Sequence, residues 1–171
     1  MAQARQKLSI SSELEQVRFL GVAVRAVLAN LGYPEEQAAS IELCLIEAVN
    51  NVIEHGYRRE PRHFVEVALC ADAEAIELTV RDSGLAMPEG ALERAREKEA
   101  VLDRAAELGG LGGLGDALEL DSVAEGGYGL RLITQVMNEV DYRRDGGHNL
   151  LTMKMRLGGA PECVTRAAVA E

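Results

Sequence analysis

The sequence lacks several features that mark common classes of protein. Tryptophan is absent and aromatic residues make up only 4% of the 171 residues, so we expect an aliphatic core and no aromatic stacking on nucleic-acid bases. The three cysteines form no Cys-x-x-Cys pair, which favours reduced thiols over a zinc site or a disulfide framework. No apolar run approaches the ~20 residues of a membrane span, and the opening MAQARQKLSISSELEQ has no secretory signal. We therefore expect a cytoplasmic protein that does not bind a membrane.

Positive charge is also scarce. Lys and Arg number 18 against 28 Asp and Glu, so the formal net charge is −10. A surface that follows a phosphate backbone needs an excess of cations, so direct binding of nucleic acid is not expected and a protein partner is easier to accommodate. The length and the 47% hydrophobic content are typical of one soluble domain with a sizeable core.

The first third of the chain has helical periodicity. Leucine and valine recur every three or four residues up to about Leu31, which predicts an amphipathic helix. Ser11 or Ser12, followed by an acidic first turn, is the expected N-cap of this helix. A second helix is predicted from Pro34, whose ring suits a first helical turn, to about Tyr57.

Alternating β-branched residues predict the strands. Two hairpins are expected, the first joining 63–71 to 75–82 and the second joining EVDYRR to LLTMKMRL through a glycine turn. A weaker alternation over 5–11 adds an edge strand. Helices and hairpins in this order predict an α+β fold, a two-layer sandwich in which a mostly antiparallel mixed sheet is covered on one face by helices.

One domain is expected over residues 1–157, followed by a frayed tail over 158–171 with few large apolar groups. Residues 85–126 differ in character from the rest of this domain. A charged, helical stretch there leads into GGLGGLG, which has five glycines within 109–115. That composition is most typical of a mobile surface loop and is also compatible with a lid over a ligand.

The second helix bears the first candidate site. Glu47, Asn51 and His55 are four residues apart and share one helical face. A solvated helix would show the same polar stripe. However, the adjacent Asn50 and Asn51 weaken the middle of a helix without an obvious local gain. A carboxylate and a carboxamide one turn apart suit a base and a Mg²⁺ ion that keeps water and phosphate oxygens.

Two further motifs lie where elements end or begin. Asp82 and Gly84 follow a predicted strand, either as a simple turn or as a carboxylate that accepts a hydrogen bond from a ligand amine. The glycines of EGGYGL at 125–130 open a helix, whose N–H groups and positive end can bind phosphate, although an ordinary loop would look the same. This segment matches neither a Walker loop nor a Rossmann fingerprint.

In chain order the motifs are Glu-x-x-x-Asn on a helix, Asp-x-Gly after a strand and Gly-x-Gly opening a helix. This order resembles the Bergerat-fold ATPases, the superfamily of gyrase B and the histidine kinases. The resemblance is closest to the anti-sigma-factor serine kinases of the RsbW and SpoIIAB type. It rests on EAVNNVIEHGY, VRDSG and EGGYGLRLITQVMNEVDYRRDGGHNLLTMKMRL and covers residues 8–157.

The resemblance implies ATP and Mg²⁺ as cofactors and assigns roles by position. Glu47 matches the family's general base, and Asn51 matches the ligand that holds Mg²⁺ at the phosphates. Asp82 matches the carboxylate that binds the adenine amino group, with Gly84 beside it. Residues 85–126 match the ATP lid. The other nucleotide contacts that we expect are His55, Gly127, Tyr128, Gly129, Leu130 and Asn149.

The sequence departs from the wider superfamily at two positions. Ala86 replaces a second glycine after Gly84, which changes the loop beside the adenine. His148 and Asn149 stand where a glycine and a threonine often begin the last strand, so Asn149 is the expected polar contact there. Arg94, Arg96, Lys98 and Arg104 are cations of the lid, and the sequence does not choose among them for a phosphate contact.

The resemblance predicts a protein serine kinase that is also an anti-sigma factor. Such a protein binds a sigma factor or another regulatory target and phosphorylates a serine on a STAS-domain anti-anti-sigma antagonist. The alternative is a nucleotide-binding anti-sigma or regulatory module without kinase activity, against which the retained Glu47 argues. A histidine-kinase fragment would need a helical dimerisation segment, and a ligand-free structural protein leaves the asparagine pair unexplained. Because the family is commonly dimeric, a homodimer stays open.

Overall fold

The computed structural model describes residues 4–72, 74–97 and 127–156. Residues 91–97 are helical, as predicted for the charged stretch. Residues 98–126 of the predicted lid and the whole predicted tail lie outside the described ranges. The strands are β1 (Ala4–Ser11), β2 (Phe64–Ala71), β3 (Ala75–Asp82), β4 (Glu139–Asp145) and β5 (His148–Arg156). The helices are α1 (Leu14–Asn30), α2 (Glu35–Asn51) and α3 (Gly127–Val136), with a π-helical turn over Val52–Gly56 after α2.

The five strands form one sheet in the order β1-β2-β3-β5-β4, and all four pairings are antiparallel. The predicted α+β sandwich is confirmed, but the described sheet is not mixed. Its hairpin partners run antiparallel because tight turns connect them, and β5 also enters beside β3 in the opposite direction. The register of that last pair places Asp82 opposite Asn149.

The buried face of the sheet determines where Asp82 points. In β3 the alternate residues Ile76, Leu78 and Val80 are buried, and Asp82 continues the same alternation at the end of the strand. Successive strand residues point to opposite faces, so the carboxylate lies on the face that carries the core. Helix α2, which contacts β3, lies on that face.

Helix α2 is the centre of the helical layer, because it contacts α1, α3 and β3. Burial, helped by the charge of Glu47, raises the pKa of the Cys44 thiol to about 12. The thiol therefore stays protonated at neutral pH and packs as a small apolar group. The other buried residues of α2 are Ala38, Ile41, Leu45, Ala48 and Val49. No helix in the described ranges is long and apolar enough to cross a membrane.

The second helix reaches Tyr57 as predicted, but its last turn is π-helical rather than α-helical. The Tyr57 N–H donates to the Val52 carbonyl at 2.8 Å, five residues back. A π turn contains an extra residue compared with an α turn. His55 is four residues after Asn51, but the π turn gives it a different angular position from the one that a regular α-helix would give.

The predicted N-cap of α1 is wrong. Glu13 occupies the cap position without a side-chain cap bond. Ser12 is buried, where its hydroxyl donates to the Glu60 carbonyl at 2.9 Å and accepts from the His63 N–H at 3.2 Å. A buried hydroxyl has to find a partner, and here the partner is a turn some 50 residues away in sequence rather than the helix.

Candidate functional site

A cavity of about 480 Å³ opens where the helical layer meets the ends of β3 and β5. It is lined by residues from all three sequence motifs. Segment 85–88 and the helical residues 91–95 form a further wall. The predicted site residues that line this cavity are Asn51, His55, Asp82, Leu130 and Asn149.

Asp82 is held by hydrogen bonds to one of its two oxygens. Its Oδ1 accepts from the Gly84 N–H at 2.7 Å and from the Asn149 side-chain amide at 2.8 Å. The first bond is an Asx turn, which reverses the chain directly after β3. Within the described part of the chain, no hydrogen bond reaches Oδ2. That oxygen is the one that remains to accept a hydrogen bond from a ligand.

Gly84 is required because two backbones touch at this point. A Cβ on Gly84 would lie 2.7 Å from the carbonyl carbon and oxygen of Gly56 and 2.9 Å from its Cα. The Leu85 N–H also donates to the Gly56 carbonyl at 2.9 Å. The turn after β3 and the π turn after α2 are thus in direct main-chain contact.

Replacing Gly84 by alanine should separate these backbones. We expect Gly84→Ala to lower the free energy of unfolding by about 1–3 kcal/mol, the usual cost of overpacking, as measured by urea denaturation. Gly21→Ala is the control, since the three atoms nearest to its Cβ would be side-chain atoms of Glu42 and Ile46 at 3.1–3.2 Å and alanine favours helix. Equal stability of Gly84→Ala and wild type would contradict the contact.

Tyr57, which was not predicted as a site residue, forms a hydrogen bond to the same turn. Its buried hydroxyl donates to the Phe64 carbonyl at 2.8 Å and accepts from the Ser83 N–H at 3.0 Å. Burial is the main cause that raises the pKa of this phenol, so it remains a neutral donor at physiological pH. Tyr57 therefore links the end of the second helix, the start of β2 and the turn beside Asp82.

Glu47 lines a second cavity, of about 350 Å³, rather than the first. Gly129, Leu132 and Gln135 of α3 line it as well, and Arg131 lines both cavities. A Cβ on Gly129 would overlap Oε2 of Glu47 and lie 3.4 Å from Nδ2 of Asn51. The glycine thus lets α3 approach the two polar residues of α2 that the sequence singled out.

Asn51 and His55 lie in the wall of the larger cavity, with Asn51 half-buried and His55 exposed. Among the described residues, no group of three or more His, Cys, Asp or Glu side chains is placed to hold a metal ion. A Mg²⁺ ion that keeps water and phosphate oxygens needs few protein ligands. The single carboxamide of Asn51 therefore fits such an ion.

The glycine-led helix begins where the third motif predicted it. Helix α3 starts at Gly127, and Gly129 and Leu130 are buried in its first turn. The side chain of Tyr128 lies outside the part of the structure that is described. The first turn of a helix presents free N–H groups and partial positive charge, which suits an anion at this edge of the cavity.

Among the lid cations, Arg94 lines the larger cavity and donates to the Glu89 carbonyl at 2.9 Å. Arg96 instead donates to the Val140 carbonyl at 2.7 Å, and Lys98 and Arg104 lie outside the described residues. Sequence reasoning missed Arg131 and Tyr142, which also line the cavity. An arginine directly after the third motif and an inward-facing tyrosine in an alternating strand were the available signals.

A two-layer sandwich with these three motifs around two adjoining cavities defines the class, an ATPase domain of the Bergerat fold. The sequence model of the histidine kinase-like ATPase domain matches residues 10–155. Because this match covers most of the 171 residues, the chain belongs to the histidine kinase-like ATPase family. The resemblance that the motifs indicated is confirmed.

Curated relatives of this chain include anti-sigma factors and a serine kinase. The anti-sigma F factor of Oceanobacillus iheyensis is 29% identical over 134 residues, which cover 75% of this chain and 90% of the relative. That of Geobacillus stearothermophilus is 31% identical over 105 residues, or 61% and 70% of the two chains. The serine-protein kinase RsbW of Bacillus pumilus is 25% identical over 143 residues, or 82% and 79%.

A solved structure shares the fold. It is a chain from the crystal structure of the SiaB-SiaC complex from Pseudomonas aeruginosa. The TM-score is 0.53 at 15% sequence identity, covering 88% of this chain and 89% of that chain. At this identity the likeness supports the α+β architecture and nothing more.

Proposed function

We propose that this protein is an ATP- and Mg²⁺-dependent serine kinase that acts as an anti-sigma factor in a partner switch. In this proposal it binds a sigma factor or another regulatory target. It also phosphorylates a serine on a STAS-domain anti-anti-sigma antagonist. The family and the names of the relatives in the preceding comparisons support a regulator with ATPase-type chemistry.

The observation that supports kinase activity is the position of Glu47 in the second cavity, which shares Arg131 with the larger one. In the larger cavity the Asp82 carboxylate lies at the strand ends and suits the adenine ring of a nucleotide. The start of α3 lies at the edge of the same cavity and suits the phosphates. Glu47 lines the neighbouring cavity, next to Gly129 at the start of α3. A serine that enters the second cavity would meet a carboxylate before it reaches the phosphates.

The proposed chemistry asks little more of the protein than positioning. Glu47 takes the proton of the serine hydroxyl while the serine oxygen forms a bond to the γ-phosphorus. The bond from the γ-phosphorus to the bridging oxygen breaks, and ADP leaves with that oxygen. The Asn51 carboxamide would hold Mg²⁺, whose charge offsets that of the phosphate oxygens when it is bound.

The protein partners of the proposal follow from the relatives rather than from a surface on this chain. Anti-sigma F factor is the name of several relatives, and an acidic chain with net charge −10 favours proteins over nucleic acid as direct partners. A homodimer is a further proposal.

The alternative function is a nucleotide-binding regulatory module without kinase activity. Both proteins would bind ATP and a protein target. Only the kinase would transfer the γ-phosphate. The two functions therefore differ in whether a serine hydroxyl of a partner protein reaches Glu47.

The proposed function can be tested in two stages. Proteins retained from native lysate with and without ATP–Mg²⁺ are identified by mass spectrometry, and we expect a STAS-domain protein among them. That protein is then incubated with labelled ATP and the kinase, and label should appear on one of its serines. ATP binding without any labelled partner would favour the non-catalytic module.

The proposed metal site makes a separate prediction. Asn51→Ala and wild type should bind ATP equally in EDTA, whereas with Mg²⁺ the variant should bind at least about 5-fold more weakly. Calorimetry under both conditions measures the difference. Asn50→Ala is the matched control, because Asn50 lies about 100° away around the helix. A Mg²⁺-sensitive Asn50 would move the site by one residue.

A further inference from the structure

Asn149 is the hub of a buried hydrogen-bond network at the ends of β4 and β5. Its side chain is 3% exposed and faces Asp82 across the sheet. Its Nδ2 donates to Asp82 Oδ1 at 2.8 Å and approaches the carbonyls of Leu85 and Gly84 at 3.1 and 3.3 Å. Every acceptor near this nitrogen therefore belongs to the turn that begins at Asp82.

The other end of the amide is held from β4. Asn149 Oδ1 accepts from the Tyr142 hydroxyl at 2.8 Å and from Arg144 Nη1 at 3.2 Å. The Tyr142 oxygen itself accepts from the Met87 N–H at 2.9 Å, so its single hydrogen is directed at Asn149. A guanidinium can only donate. Donors on one side and acceptors on the other leave the amide one orientation.

The amide of Asn149 is thus fully engaged by the protein. Two N–H bonds are shared among three acceptors, and Oδ1 already has two donors. Asn149 has no spare group to offer a ligand directly. What it does is hold one oxygen of Asp82, which leaves Oδ2 for the ligand.

We propose that Tyr142 and Asn149 are a positioning pair that sets the base selectivity of the cavity. Through Asn149 the pair fixes the rotation of the Asp82 carboxylate. The site then favours a base with an exocyclic amine at the point that Oδ2 reaches. This inference rests on the proposed nucleotide function.

The test compares ATP with purine riboside triphosphate, which lacks the 6-amino group. Tyr142→Phe removes the hydroxyl and keeps the ring. We expect this variant to bind ATP about 5-fold more weakly, which is the value of one neutral hydrogen bond. Its affinity for the deamino analogue should change by less than about 2-fold. A general loosening of the cavity would weaken both ligands equally, and that outcome, or no change in either, would overturn the proposal.

Two more variants sharpen the experiment. In an Asp82→Asn background, Tyr142→Phe should change ATP affinity by less than about 2-fold, because the two residues act in series. Tyr33→Phe is the control, since its buried phenol donates to the Asp72 carbonyl near the start of β3, the opposite end of that strand from Asp82. It should leave both ligands unaffected. Wild-type protein that binds neither nucleotide would overturn the nucleotide function itself, whereas equal losses overturn only the pair's role.

Discussion

Glu47→Ala is expected to transfer phosphate to its serine acceptor at least about 100-fold more slowly than wild type while it binds ATP with similar affinity. A serine hydroxyl is a poor nucleophile and gains from a positioned base, typically about 10²–10⁴-fold. Glu47 lines the smaller cavity and not the larger one, so its loss should spare nucleotide binding. Single-turnover transfer from labelled ATP, with the antagonist in excess, measures the rate.

Two companion variants make the result interpretable. Glu47→Gln keeps the shape of the side chain and removes its basicity, so it should lose rate as Glu47→Ala does. Glu36→Ala removes an exposed carboxylate from the first turn of the same helix and should transfer normally. Normal transfer by Glu47→Ala would make Glu47 an ordinary solvated residue of α2.

Asp82→Asn should weaken the binding of ATP by about 1–3 kcal/mol, the value of a charge-assisted hydrogen bond, and should weaken the binding of GTP much less. The structure gives the reason for this asymmetry. Oδ1 stays engaged by Gly84 and Asn149, so the new NH₂ group would occupy the position of Oδ2. A donor would then face the donor amine of adenine, whereas the carbonyl of guanine can accept from it.

A matched control for this variant exists at the other end of β3. Asp72 also closes an Asx turn, with Oδ1 accepting from the N–H groups of Glu74 and Ala75 at 2.9 and 3.1 Å. These bonds lower the pKa of Asp72, as bonds to an ionised carboxylate do. Asp72→Asn should bind ATP and GTP with the affinities of wild type in calorimetry. Equal losses of ATP and GTP in Asp82→Asn would rule out a role in reading adenine.

The strands and the motif positions could be predicted because their signals are local. Alternating residues give β2 and β3 almost to the residue, and the pair Gly146 and Gly147 adopts positive φ values of 56° and 85°, which suit a two-residue hairpin turn. The same alternation puts Asp82 at the end of a buried row. A four-residue spacing likewise puts Glu47 one turn before Asn51.

The remaining features depend on residues that are distant in sequence. Ser12 looks like a helix cap until the turn that contains Glu60 and His63 takes its hydroxyl. Tyr142 looks like any aromatic residue of a strand, and only the β4–β5 register brings it to Asn149. The separation of the two cavities likewise follows from how α3 packs on α2, which no single segment encodes.

The π turn over Val52–Gly56 has a consequence for insertions and deletions in this chain. Removing one residue there would let the backbone return to α-helical spacing and would move Tyr57 back by one position. The phenol would then lose Phe64 and Ser83 together, and Gly56 would no longer meet Gly84. Side chains within this turn that face neither the core nor the cavity can be exchanged at modest cost, but its length cannot. Homologous chains should therefore vary here in composition while keeping the residue count between the asparagine and the tyrosine constant.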